Sequence, residues 1–335
     1  MIKINGSSGG RIISTALSLS VITQKPCHIF SIGQSREKPG LAPGQPEELR
    51  AISDFCGGRL EGVFLGSQEI FFSPGEKFKE RIRVKLDSQS ITLALQALLP
   101  AVFYSKRKIT LDFDGGATDT FFSPTFEYFN RAFLHFLRQM GAQIEVEVLK
   151  KGYYPAGGAK VKAQISPSKL KPLLLDERGS LCGISIFSGA SLSLRDKKIA
   201  ERQSSGAREI LLKTDLPLTE KIDYHQTDSP GNSICLTAVF EKTILAADSL
   251  GKIGMRAEDV GKEAALDLLN QGKGSTCLDK YMSDQILIYL ALAGGKSEFS
   301  SSEITAGLKT NILIIEKFMA GKFALKNSLV SFSAF

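Results

Sequence analysis

The sequence predicts an α/β (α+β) protein: a large domain of three repeated βα units, each with a four-stranded sheet and two helices, and a small inserted α/β domain. Three observations predict it. The chain has 335 residues, 43% of them hydrophobic, enough for two domains with cores of their own. One succession of helix, strand, helix, strand comes three times. A stretch of different character lies between the second and third copies, so the expected boundaries are 1–178 and 275–335 for the large domain and 179–274 for the insertion.

In the first copy the spacing predicts a helix from about Gly10 to Thr23, a strand over Pro26 to Gly33, a helix over Glu47 to Cys56, and strands to about Ser73. In the second, Ile91 to Tyr104 reads as a helix. Ile109, Leu111 and Phe113 then alternate with Thr110, Asp112 and Asp114, the two-residue period of a half-buried strand. Phe126, Phe129, Phe133, Phe136 and Met140 recur at helical spacing, Gly141 suits a left-handed terminator, and Gln143 to Val148 alternates again as a strand. The third copy has a helix over Asp284 to Ala293, a short strand over Glu298 to Ser301, a helix over Lys309 to Met319, and a final strand in FALKNSLVSFSAF. The insertion carries a strand at Cys182 to Phe187, a polar helix around Asp196 to Lys213, strands flanking Gly231, and a helix at Ala257 to Asn270 buried through Val260, Ala264 and Leu268.

Cys27, Cys56, Cys182, Cys235 and Cys277 show no CxxC pair and no regular spacing, which argues against a disulfide framework or a zinc site and for a cytoplasmic protein. The apolar stretch Ile12 to Ile22 is too short for a membrane helix and is broken by Ser14, Thr15, Ser18 and Ser20; it reads first as a core helix and second as a signal peptide, with no membrane partner. A net charge of +7 and a pI of about 9.0 favour an anionic partner. The basic runs at Lys77 to Lys85 and Ser105 to Lys108 read first as solvated faces and second as RNA-facing ones. Gly295 to Ser297 lacks the first glycine of a phosphate loop, which would fall at Leu290, and follows a helix, so it reads as a helix-terminating turn.

Near the C-terminus SDQILIYLALAGG (Ser283 to Gly295) is followed by EITAGLKTNI (Glu303 to Ile312). TALSLSVIT (Thr15 to Thr23), REKPGL (Arg36 to Leu41), GATDTFFSPTFEYF from Gly116, YPAGG (Tyr154 to Gly158), SPGNS (Ser229 to Ser233) and the run Ala247 to Leu269 precede them. In order and spacing the whole set resembles the RNA 3'-terminal phosphate cyclase family. The resemblance implies a protein that binds ATP, with Mg2+ or Mn2+, and RNA 3'-phosphate ends. Its chemistry would transfer AMP to a histidine, pass it to the terminal phosphate and release it as a 2',3'-cyclic phosphate forms.

Carried over position by position, the resemblance implies nucleotide binding by Gln96 and by Tyr281, Met282, Ser283, Asp284 and Gln285, and RNA phosphate binding by Arg36 and Lys38. Other positions depart from the pattern. Ser7 stands where the glycine-rich run carries a Glu, Ser14 where an arginine precedes Thr-Ala-Leu, and Gly44-Gln45 where a Gln-His pair is expected. Gly307 stands three residues before Thr310-Asn311, where the family has its catalytic histidine; Lys309, two residues further on, reads first as a cation that helps to hold phosphate and second as a substitute nucleophile, since an amine can carry a phosphoramidate. His28, His135 and His225 are the only histidines; His28 alternates within a strand, His135 reads as solvated beside Arg131 and Arg138, and His225 lies in the insertion. The expectation is a cyclase-family protein that binds ATP and RNA 3' ends with cyclisation impaired. The alternative is a non-catalytic, cyclase-like RNA-binding or assembly factor.

Overall fold

Three of the four sheets in the computed structural model, which describes residues 1–7, 10–212 and 217–335, share one topology. The first is built from β1 (Ile2–Asn5), α1 (Arg11–Thr23), β2 (Cys27–Phe30), α2 (Gln45–Cys56), β3 (Arg59–Glu61) and β4 (Ile70–Ser73), in the order β1-β2-β4-β3. β1 and β2 are parallel across the α1 crossover, and the other pairs are antiparallel. The second repeats this with β5 (Arg81–Ser90), α3 (Ile91–Ser105), β6 (Ile109–Ala117), a helical segment, β7 (Gln143–Lys150) and β8 (Lys160–Ser166), in the order β5-β6-β8-β7. That helical segment departs from the expected single helix: α4 (Phe126–Tyr128) passes through a π turn (Phe129–Phe133) into α5 (Leu134–Gln139).

The third repeat opens with β9 (Leu174–Leu175), and a complete fourth sheet intervenes before it continues. The intervening elements are β10 (Leu181–Ser191), a 3-10 turn (Leu192–Lys197), α6 (Ile199–Leu211), β11 (Leu218–His225), β12 (Asn232–Phe240), β13 (Ile244–Leu250) and α7 (Ala257–Gln271), with strand order β11-β10-β12-β13. The end expected for the polar helix, Lys213, lies outside the described residues. The third repeat then resumes with α8 (Lys280–Gln285), α9 (Leu287–Ala293), β14 (Lys296–Ser300), α10 (Ala306–Phe318), β15 (Lys322–Lys326) and β16 (Leu329–Ser333). β9 pairs in parallel with β14 to give the order β15-β16-β14-β9. The expected single final strand is therefore a hairpin, turning through Asn327 at φ 53.

Each repeat thus reads β-α-β-α-β-β, one strand more at the front than the helix-first pattern of the sequence. Two front strands, β1 and β9, are too short for a period to register, and β5 is hidden by its composition. In β5, Ile82, Val84 and Leu86 are buried while Arg81, Arg83 and Lys85 alternate outward, so half of a basic run is the wet face of a strand. Their apolar faces join one core with α1, α3, α5, α9 and α10, whereas Ile184, Ile186, Leu236, Leu245, Val260 and Leu268 form a second cluster around the fourth sheet. There α6 and α7 cross at backbone contact: a Cβ on Gly261 would lie 1.9 Å from the Gln203 carbonyl oxygen, and one on Gly206 2.0 Å from that of Glu258.

Asp279 ties the parts together. Fully buried, it caps α8 by accepting from the amides of Tyr281 (3.0 Å) and Met282 (2.8 Å), and it also accepts from the Tyr128 hydroxyl (2.7 Å) and the Ala246 amide (3.3 Å). Burial pushes its carboxyl up to about 6 while these donors pull it down. Asp279→Ala strands all four donors and is expected to cost about 3 kcal/mol or more. Urea unfolding measures this, with Asp279→Asn losing less; a cost under about 1 kcal/mol would remove Asp279 from the role.

Candidate functional site

A cleft opens where the start of α1 meets α8 and the start of α10. α1 begins at Arg11 after Gly10, which offers no side-chain cap. α10 begins after Thr305, whose hydroxyl accepts from the Leu308 amide at 3.0 Å, and α8 presents Lys280, Tyr281, Asp284 and Gln285. The outer part, about 290 Å3, is lined by Arg11, Lys280, Tyr281, Asp284, Gln285, Glu303 and Thr305. It leads into an inner cavity of about 30 Å3, whose polar walls include Arg11, Ser14, Gln96, Gln285, Tyr289 and Asn311. Only about two water molecules fit there.

The inner walls are unusually unsatisfied. Gln96 donates from Nε2 to Gln285 Oε1 at 2.5 Å, yet its own Oε1 has no partner. Asn311 donates from Nδ2 to Asp284 Oδ1, and its Oδ1 is unpartnered; so is the Tyr289 hydroxyl, which burial holds protonated. All three residues are at least nine-tenths buried. Buried acceptors without donors are costly in a finished core, so polar groups pointing into a cavity mark a place for a ligand.

Of the sequence-derived candidates, Gln96, Tyr281, Asp284 and Gln285 converge on this cleft. Met282 and Ser283 do not: Met282 is packed in the main core, and the buried Ser283 hydroxyl donates to the Asp279 carbonyl at 2.8 Å. Arg36 is half-buried with Nη2 3.5 Å from where a Cβ on Gly10 would sit, while Lys38 is exposed in the same loop. Lys309 is exposed and lines neither cavity. Gly307 is the second residue of α10; a Cβ built on it would lie 3.1 Å from Asp284 Oδ2.

Nor does a histidine replace the missing imidazole. His28 pairs with Glu69 at 2.6 Å, and His225 ends β11 away from the cleft. His135 is half-buried, not solvated: it lies in a groove with Asn130, Arg131 and Arg138, where burial and Arg138 hold it below its usual range. The cleft does contain an amine, Lys280. Burial lowers its basicity, but Asp267, 3.4 Å away, and Tyr281 more than reverse this and keep it protonated. A protonated amine is a counterion, not a nucleophile.

The departures at the other motif positions have structural roles. Gln45 spends its side chain as a clasp, its Oε1 accepting from the Ala42 amide (2.7 Å) and its Nε2 donating to the Gly10 carbonyl (3.1 Å). Ser7 accepts at its carbonyl from the Ser35 hydroxyl at 2.7 Å; Ser8 and Gly9 of the same run lie outside the described residues. Ser14 is buried and donates to the Arg11 carbonyl at 3.1 Å. Sequence reasoning missed Arg11, Tyr289 and Asn311. Arg11 stands in the glycine-rich run and Asn311 in the last motif string, so the signal for both is a polar residue near the expected one. Tyr289 also stands inside a motif string, SDQILIYLALAGG, where the apolar residues around it make it read as core.

With this geometry in view, the similarities of the chain can be stated. The model of the RNA 3'-terminal phosphate cyclase family matches residues 5–325. An RNA 3'-terminal phosphate cyclase of Pyrococcus furiosus is 37% identical over 334 residues, covering 98% of this chain and 96% of the relative. One from Saccharolobus islandicus is 38% identical over 327 residues, with coverage of 95% and 94%. Among solved structures, an enolpyruvyl transferase of Streptomyces tendae aligns with all of this chain and 82% of its own at 9% identity and a TM-score of 0.29, too slight a likeness to weigh.

A titrating group beside the cleft gives a pH test. Burial pushes the half-buried Glu48 carboxyl up to about 8, against the pull of Arg11. Native protein therefore holds this proton where the unfolded chain has lost it, and stability falls as pH rises between about 4.5 and about 8. Thermal melts of Glu48→Gln should match wild type at the acid end of that window and exceed it at the alkaline end. A difference that stays constant across the window would contradict this.

Proposed function

The chain belongs to the RNA 3'-terminal phosphate cyclase family, and from that premise we propose that it binds ATP and RNA 3'-phosphate ends in the cleft at the start of α10, with histidine-dependent cyclisation impaired. The observation that carries this is the pairing of a kept pocket with a lost nucleophile. Gln96, Asp284 and Gln285 face one cavity, and Gly307, on which a Cβ would lie 3.1 Å from Asp284 Oδ2, has no side chain to bond phosphorus. Removing a nucleophile from a mechanism that needs one costs several orders of magnitude in rate.

The unpartnered oxygens of Gln96 and Asn311 favour a ligand that brings hydrogen-bond donors, as ribose hydroxyls and a base amine do. Arg11 supplies cationic charge at the mouth, and Tyr281, 44% exposed, offers a ring face. Asp284 and Glu303 are the carboxylates there, and no cluster of three or more metal-ligating side chains exists among the described residues. These residues do not fit a resident metal, and a divalent ion would come with the nucleotide's phosphates. No helix among the described residues is long and apolar enough to cross a membrane. Within this reading residues 179–274 are an inserted domain beside the cleft, and the protein works in the cytoplasm.

The second reading, a cyclase-like factor that binds RNA ends without chemistry, draws on the same glycine and on Gln45, spent as a clasp where a histidine is expected. Incubation with α-labelled ATP and Mg2+ or Mn2+ separates the readings. The wild type should take up no protein-bound AMP, while Gly307→His should gain an acid-labile, base-stable label once Asp284 shifts by a few tenths of an ångström. Stable labelling of the wild type, or accumulation of cyclic ends in a turnover assay, would overturn impairment. A silent Gly307→His protein that still binds RNA ends would favour the factor.

A further inference from the structure

We propose that Arg11 is the side chain that captures the ligand's phosphate, standing at the junction of the outer cleft and the inner cavity; this rests on the nucleotide and RNA-end reading above. The first argument is its place in the helix. Arg11 is the first residue of α1, where the macrodipole disfavours a cation, no acidic residue occupies the first turn, and Gly10 gives no side-chain cap. Local physics would put an Asp or Glu here, and a residue that breaks the local rule without compensation points to function.

The second argument is that nothing in the protein uses the charge. The half-buried Arg11 guanidinium makes no hydrogen bond and no ion pair among the described residues, although it borders both cavities. Burial keeps Glu48, whose carboxyl feels the Arg11 charge, protonated up to about pH 8, so it does not neutralise the arginine under ordinary conditions, and Asp284 and Glu303, which line the cleft with Arg11, form no ion pair with it. A second guanidinium without a side-chain partner, that of Arg36, approaches the same helix start at Gly10. Two free guanidinium groups at an uncapped helix N-terminus suit an oxyanion with several acceptor oxygens.

The third argument comes from the opposite wall. Gln96 Oε1, Asn311 Oδ1 and the Tyr289 hydroxyl, all buried without partners, line the inner cavity with Arg11. Two of the three can only accept. The group that completes the site is therefore anionic where it meets Arg11 and donates a small hydroxyl or amine inward. That combination describes a phosphate carried on a nucleoside, either of free nucleotide or of an RNA 3' end.

Equilibrium binding of ATP, adenosine, an RNA oligonucleotide ending in a 3'-phosphate and the same oligonucleotide ending in a 3'-hydroxyl tests this across a range of salt. Arg11→Ala should weaken a phosphate ligand about tenfold or more and lower its salt slope by about one. Adenosine and the 3'-hydroxyl oligonucleotide should be unaffected, and Arg11→Lys should lose less because it keeps the charge without the fork. Loss confined to ATP or to the 3'-phosphate oligonucleotide identifies which phosphate Arg11 holds. Unchanged affinity of Arg11→Ala for both, with wild type binding them, overturns the assignment but not the proposed function. A wild type that binds neither overturns both. Melting curves of both variants keep misfolding from passing as a binding defect.

Discussion

The geometry of the cleft depends on one buried carboxylate. Asp279 fixes where α8 starts, and the start of α8 decides which way Tyr281, Asp284 and Gln285 point. Its four donors come from α8 itself, from Tyr128 in the second repeat and from Ala246 in the fourth sheet, so one group holds three parts of the chain in register. Burying a carboxylate this deeply is unfavourable until its oxygens are satisfied, which makes the arrangement all-or-none. The same residue explains why two members of one short motif have no access to the cleft. Met282 and Ser283 fall on the face that Asp279 turns toward the core, while their neighbours fall on the wet one.

Much of the fold was legible because long amphipathic helices announce themselves. α1, α2, α3, α7 and α10 fall within a few residues of where the spacing put them. The opening strands of the repeats were not legible. β1 has four residues and β9 two, too few for a period to register, and β5 carries its alternation under a run of arginine and lysine. The break in the second repeat's long helix was hidden for another reason: a π turn adds a residue to the helix without disturbing the order of apolar side chains.

For the cleft, motif strings located the elements but not the participants. Gln96 and Asp284 were found because their neighbours in sequence are distinctive. Arg11 is not legible because the motif aligns on Ser14, one turn further along, and only the packing reveals that Ser14 folds back onto the Arg11 carbonyl. Asn311 was likewise overshadowed by Gly307. Packing makes it the residue that holds Asp284 against the helix start, which is why the space beside Gly307 is bordered by a carboxylate. Chemistry of this kind, an amide steering an acid on another helix, leaves no trace in the spacing of either.

The two-residue strand β9 has a consequence for how the chain is made. Leu174 and Leu175 leave the ribosome long before Glu298 and Phe299, their partners in β14, and the whole fourth sheet is synthesised between them. The first and second sheets can close while synthesis continues, but the third stays open until almost the last residues emerge. A ribosome stalled late in this message would therefore release a protein with three finished sheets and an unpaired apolar edge, a target for chaperones and proteases before it had any cleft at all.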